Sequence, residues 1–168
     1  MITDEFRLTL SRVREAIESN AEWSICNSID EGAPRRPELD APEEYIDFLT
    51  IADGAIMGSV VILGRRFVER SQALISPGMV EVPEEPNGWF VVGKINENPV
   101  LINRQDGSVW TYPDMQSSWW ASRDFEKVSD SLAEFVMECG FGPGYLRVTG
   151  SPESDEWWQI LCHLGYAD

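Results

Sequence analysis

Residues 88–114 read GWFVVGKINENPVLINRQDGSVWTYPD, and their reading decides the fold class. Three apolar runs, at 89–95, 100–102 and 108–112, are separated by Asn96-Glu97-Asn98-Pro99 and by Asp106-Gly107. Asp-Gly between alternating runs signals a tight hairpin, because both central positions of a type I′ turn take φ > 0. The stretch therefore predicts an antiparallel meander. It carries no catalytic constellation, so it speaks to fold rather than to chemistry.

Helices are expected on both sides of the meander. Phe6, Leu10, Val13 and Ile17 recur at i, i+4, i+7 and i+11, the stripe of an amphipathic helix, with Thr3 or Asp4 as its cap. Residues 30–42 hold Gly32, Pro34, Pro37 and Pro42 and read as a connecting loop. Asp40 is then placed to cap a helix whose first turn holds Pro42, Glu43 and Glu44. Tyr45, Phe48, Leu49 and Ala52 form its apolar face, and Asp53-Gly54 ends it. Gly58–Leu63 reads as a buried strand, residues 64–78 carry no clear pattern, and 79–82 read as a short strand. After the meander, Ser129 or Asp130 is expected to cap a helix with Leu132, Phe135, Val136 and Cys139 on one face, stopped by Gly140. Residues 156–164 form a last helix with Trp157, Ile160, Leu161 and Leu164 inward, and Trp158 sideways or outward. Strands clustered between helices predict an α+β fold: an antiparallel meander sheet flanked by helices, with an extra C-terminal helix. At 168 residues, one domain spanning 1–168 is the expectation.

Charge is the unusual bulk property. The chain carries 29 Asp and Glu against 13 Lys and Arg, for a net −16. Such a field repels nucleic acid and anionic membrane and speeds encounter with a basic partner. It also keeps a domain dispersed. The three cysteines, Cys26, Cys139 and Cys162, contain no CxxC pair, which argues against a disulfide framework or a zinc ribbon and suits a reducing cytosol. The stretch MITDEFRLTL has no basic region followed by an apolar core, so no signal peptide is expected, and no apolar run approaches the ~20 residues of a membrane span. A cytoplasmic protein without a cofactor is the expectation.

Catalytic signatures are sparse. His163 is the single histidine, whereas Ser-His and Cys-His catalysts need two or three convergent groups. The glycine-rich 140–144 follows a helix, and Pro143 removes a donor, so it reads as helix-stop punctuation rather than a phosphate loop. Glu43 and Asp47 stand at i, i+4 on one helix face, as a carboxylate pair or metal site requires. A solvated helix start that complements the dipole has the same pattern. Glu44 belongs to the same acidic turn, while Glu84 and Glu85 fall in a Pro-flanked loop. Trp119-Trp120 follows the meander in a Ser-rich segment. Either both rings cover core edges, or one faces solvent as an interface anchor.

Three segments together resemble the SUKH superfamily, which includes the Smi/Knr cell-wall regulators. Ala41-Pro42-Glu43-Glu44-Tyr45-Ile46-Asp47-Phe48-Leu49 with Asp53-Gly54 resembles that family's opening "LPxxYxxFLxxxNG" helix and turn. Gly88-Trp89 through Gly93, then 100–103 and Asp106-Gly107-Ser108-Val109-Trp110, resembles its central hairpins. Residues 128–136, VSDSLAEFV, resemble its "ASFxEFL" helix. The resemblance covers about residues 41–140. Asp53 stands where the pattern has Asn, and the tail beyond 145 lies outside it.

The resemblance implies a non-catalytic binding domain. Many bacterial members are immunity proteins that bind and neutralise a cognate polymorphic toxin, often a nuclease with a basic surface. Glu43, Glu44, Asp47, Glu84, Glu85, Trp119 and Trp120 are then the candidate partner-binding residues. A regulatory module of the Smi/Knr type with no toxin partner is the alternative. A third reading is an enzyme or small-ligand binder built on Glu43 and Asp47.

Overall fold

The structure, a computed structural model, describes residues 2–75, 86–113, 119–122 and 124–168. The expected strand at 79–82, and Glu84 and Glu85, lie outside the described residues. The fold is α+β: among the described residues, seven antiparallel strands form one open sheet accompanied by six α-helices. The strands are β1 (Ser28–Ile29), β2 (Ala55–Met57), β3 (Val60–Ile62), β4 (Trp89–Ile95), β5 (Asn98–Asn103), β6 (Val109–Thr111) and β7 (Glu126–Ser129). Each pairs with the next in the chain, so the expected meander spans the whole sheet. The helices are α1 (Asp4–Glu18), α2 (Glu43–Leu49), α3 (Arg65–Ser71), α4 (Leu132–Phe135), α5 (Gly144–Thr149) and α6 (Glu156–Leu164).

Both central turns differ in detail from the expectation. The β4–β5 turn is only Asn96-Glu97, with Asn96 at φ 53; Asn98 and Pro99 already belong to β5. Asn tolerates that conformation, and the Asn96 side chain donates to the Thr149 carbonyl (3.1 Å), which holds it there. Asp106-Gly107 is not a two-residue type I′ turn. Only Gly107 has positive φ, at 78, and the loop runs from 104 to 107. Gly107 N–H donates to the Asn103 carbonyl and Asn103 N–H to the Ser108 carbonyl, both at 2.9 Å. The Asp106 carboxylate accepts from the Ser108 hydroxyl and N–H, which holds its pKa below the ordinary carboxylate value.

The main core lies on one face of the sheet. Phe6, Leu10, Val13 and Ile17 of α1 pack there with Tyr45, Phe48 and Leu49 of α2 and with Trp157, Ile160 and Leu161 of α6. Burying each such side chain stabilises the fold by roughly 1.5–3 kcal/mol. Thr3 caps α1 by accepting from Phe6 N–H. Asp40 does not cap α2; it pairs with Arg104 (3.1 Å), and the helix starts at Glu43. The α4 cap is Ser131, one or two residues later than expected, because Ser129 Oγ and Asp130 N–H are both bound to the Glu134 carboxylate. After α4 the chain widens into a π turn (Val136–Gly140), which leaves the Gly140 carbonyl to accept from the Trp157 indole N–H (2.7 Å).

Three features were not expected. A β2–β3 hairpin turns at Gly58, whose φ of 60 suits glycine. The unpatterned residues after 63 form α3 and a 3₁₀ turn, Gln72–Ile75. Helix α5 follows directly on the glycine-rich 140–144. Trp158 is buried rather than outward, so the apolar arc of α6 is wider than its i, i+3, i+4, i+7 stripe. No helix among the described residues is long and apolar enough to cross a membrane.

Candidate functional site

The opposite, outer face of the sheet is only partly covered. Its cross-strand rows follow from the register. Ser28, Ile56, Val61, Lys94 and Pro99 align in one row, and Val91, Leu101 and Trp110 in the next. Ile75, Trp89, Val91, Leu101, Tyr112 and Trp119 form a second, smaller core over this side. Aromatic contacts run through it: Phe125 lies 4.9 Å from both Trp89 and Tyr112, Tyr112 lies 5.8 Å from Trp119, and Trp119 lies 5.9 Å from Trp120.

Trp120 ends that aromatic chain in solvent. Trp119 is 8% exposed and Trp120 61%. The two-ring ambiguity thus resolves with one ring packed and its neighbour presented. Beside Trp120 lies a groove of about 380 Å³, floored by Val91, Gly93 and Pro99 and walled by Leu74 and the two tryptophans. A Lys94–Glu97 ion pair (3.6 Å) sits at its edge. Six large apolar side chains stand exposed among the described residues, and four of them, Ile56, Phe67, Leu74 and Trp120, line this groove or the adjoining one beside α3. Contiguous exposed apolar surface of this kind marks an interaction site more often than scattered single residues do.

The α2 carboxylates do different work. Glu44 accepts from Leu132 N–H (2.9 Å), so it ties α2 to the start of α4. Glu43 and Asp47 do share a face, and Arg36 grips both. The Asp47 hydrogen bond is the main cause that raises the Arg36 pKa, with further attraction from both carboxylates. The pair is therefore engaged with a cation from the preceding loop, not converging on an open cavity. No group of three or more His, Cys, Asp or Glu gathers for a metal ion among the described residues. His163 is exposed on α6, its ring edge-on to Trp23 at 5.3 Å. Cys139 is buried, and burial pushes its thiol up to about 11.

Sequence reasoning singled out Trp120 but missed Ile56, Phe67 and Leu74. The available signal was three large apolar side chains in or beside a segment with three arginines. Their exposure depends on which sheet face the helices leave open. No protein-family model, curated protein or solved structure matches this chain.

Proposed function

We propose that this chain is a non-catalytic protein-binding domain of the SUKH type, an immunity protein that binds and neutralises a toxin domain with a basic surface. The observation that carries the reading is Trp120, 61% exposed beside Leu74 over an apolar groove. A tryptophan held out of the core at a groove is the kind of side chain that anchors an interface, because its large ring loses much water contact on docking and little entropy. The net charge of −16 supplies the second component. It draws a cationic partner in and sets orientation, while the apolar groove holds the complex. The acidic α2 surface contributes to that field, partly offset where Arg36 pairs with Glu43 and Asp47, and it supplies no reactive pair.

The test is to look for a toxin gene beside this one and to co-express its product with this chain; the lack of any such neighbour counts against the reading. Wild-type protein rescues growth, and the purified pair associates more slowly as salt rises from 50 to 500 mM, on the order expected when surface charges are screened. Failure to bind or neutralise that toxin overturns the immunity reading. A salt-independent association rate overturns its electrostatic part.

A further inference from the structure

The geometry points to a second docking surface, adjoining the Trp120 groove at Leu63, that takes an acidic segment of a partner protein bearing an apolar anchor. It lies along α3 and the outer face of β2 and β3. Ile56 and Val61, paired across the strands, line a groove of about 330 Å³ with Arg66 and Phe67. Phe67 is 42% exposed and Ile56 41%. Both are large apolar side chains left in water next to each other's groove.

The charges choose the occupant. Arg66 and Arg70 hold their guanidinium carbons 5.7 and 4.8 Å from the centre of the Phe67 ring. Neither pairs with a carboxylate within 4.0 Å among the described residues, although the chain holds 29 acids and 13 bases. The neighbouring Asp53 is already taken, its carboxylate bound by the N–H of Arg65 (2.9 Å) and by the Arg65 guanidinium (2.7 Å). Asp30 at the rim and Glu69 on α3 reach neither Arg66 nor Arg70. Two arginines held near an exposed aromatic ring are preorganised donors, since attraction to the ring places their guanidinium groups there while their N–H groups meet no carboxylate among the described residues. A basic segment is repelled here. An apolar segment without acids leaves both guanidinium groups unsatisfied. The net negative charge of the chain does not prevent the contact, because distant charges are screened beyond ~8 Å at physiological salt while the two arginines act at contact distance.

The test uses 15N-labelled full-length protein and two synthetic amphipathic peptides, identical except that one carries Glu and the other Lys around the same Leu and Phe anchors. The Glu peptide is expected to shift the amide signals of residues 54–67 and the side-chain Nε signals of Arg66 and Arg70, and the Lys peptide to leave them in place. Arg66→Ala with Arg70→Ala, which touches neither the core nor the Trp120 groove, is expected to weaken the Glu peptide about tenfold, the scale of one or two charge-assisted contacts. Phe67→Ser weakens it too, and an unchanged amide spectrum outside α3 certifies that each variant is folded. Equal shifts with the Lys peptide, undiminished binding by the double variant, or concentration-dependent self-association at this face instead of peptide binding each overturn the proposal.

Discussion

Gln72→Ala removes three hydrogen bonds, two of which fasten the segment after α3 to the sheet and one of which closes on α3 itself. The Gln72 side chain accepts from Val91 N–H (2.9 Å) and donates to the Val91 and Val68 carbonyls (both 2.8 Å). Strand β3 ends at Ile62, and the register of β4 and β5 shifts between Val91 and Gly93. The amide of Gln72 therefore stands where a strand neighbour would otherwise pair with Val91. Val91 is fully buried, so truncation leaves its N–H without a partner and its carbonyl under-satisfied. A buried group left unsatisfied costs about 1–3 kcal/mol, and carbonyls tolerate it better than N–H groups. Gln72 itself is half-buried, which lets water recover part of the loss. The expected total is about 2–4 kcal/mol. For a chain of this length that corresponds to a fall in Tm of roughly 5–15 °C. Chemical denaturation with an unchanged m-value, checked against a thermal melt, measures it. Gln72→Glu keeps the acceptor but turns a carboxylate toward two carbonyls, so it is expected to destabilise as well. A change below about 0.5 kcal/mol for Gln72→Ala refutes the reasoning, because that is the range of an ordinary surface substitution.

Other substitutions probe the packing. Tyr112 is buried and its hydroxyl has no hydrogen-bond partner among the described residues, so Tyr112→Phe is expected to leave stability unchanged or raise it by about 1 kcal/mol; a loss of that size in denaturant melts contradicts this. Gly58→Ala forces a side chain into positive φ with its Cβ 2.4 Å from the Tyr145 hydroxyl and 2.6 Å from Trp157 Cβ, and is expected to cost about 2–4 kcal/mol. Raising pH is expected to destabilise the fold above about 9. The Cys139 thiol titrates near its ordinary value of 9.0 when unfolded but at about 11 when folded, so the stability it contributes is intact below 9 and is lost progressively towards 11. Tyr45, Tyr112 and Tyr145, raised by burial, act with the same sign at higher pH, and unfolding midpoints measured from pH 7 to 11 show the decline.

The sequence discloses elements whose signal is local. Phe6, Leu10, Val13 and Ile17 announce α1, and Trp157, Ile160 and Leu161 announce α6, because helical periodicity is written in one segment. The alternating runs at 88–114 announce the meander for the same reason. Short elements were hidden. The run at 58–63 announced β3, but β2 has three residues, too few for alternation to register, and the Gly58-Ser59 turn that joins them lacks the Asn-Gly or Asp-Gly signature. Helix α5 was concealed by the glycines and proline that introduce it. The candidate site was legible only at Trp119 and Trp120. The exposure of Ile56 and Phe67, the absence of a carboxylate partner for Arg66 and Arg70 among the described residues, and the engagement of Glu44 with Leu132 N–H across 88 positions are products of tertiary placement. The net charge pointed to a partner's sign, and the structure adds a local exception to it along α3.

Trp120→Ala, assayed for binding to the product of any toxin gene found beside this one, tests the central claim most directly. The ring is exposed and its removal leaves both cores intact, so the fold and the melting temperature are expected to hold within about 0.5 kcal/mol of wild type. Binding is expected to weaken by about 2 kcal/mol or more, roughly thirtyfold, through faster dissociation, with growth protection lost in parallel. A folded Trp120→Ala variant that binds and protects as wild type does contradicts the account.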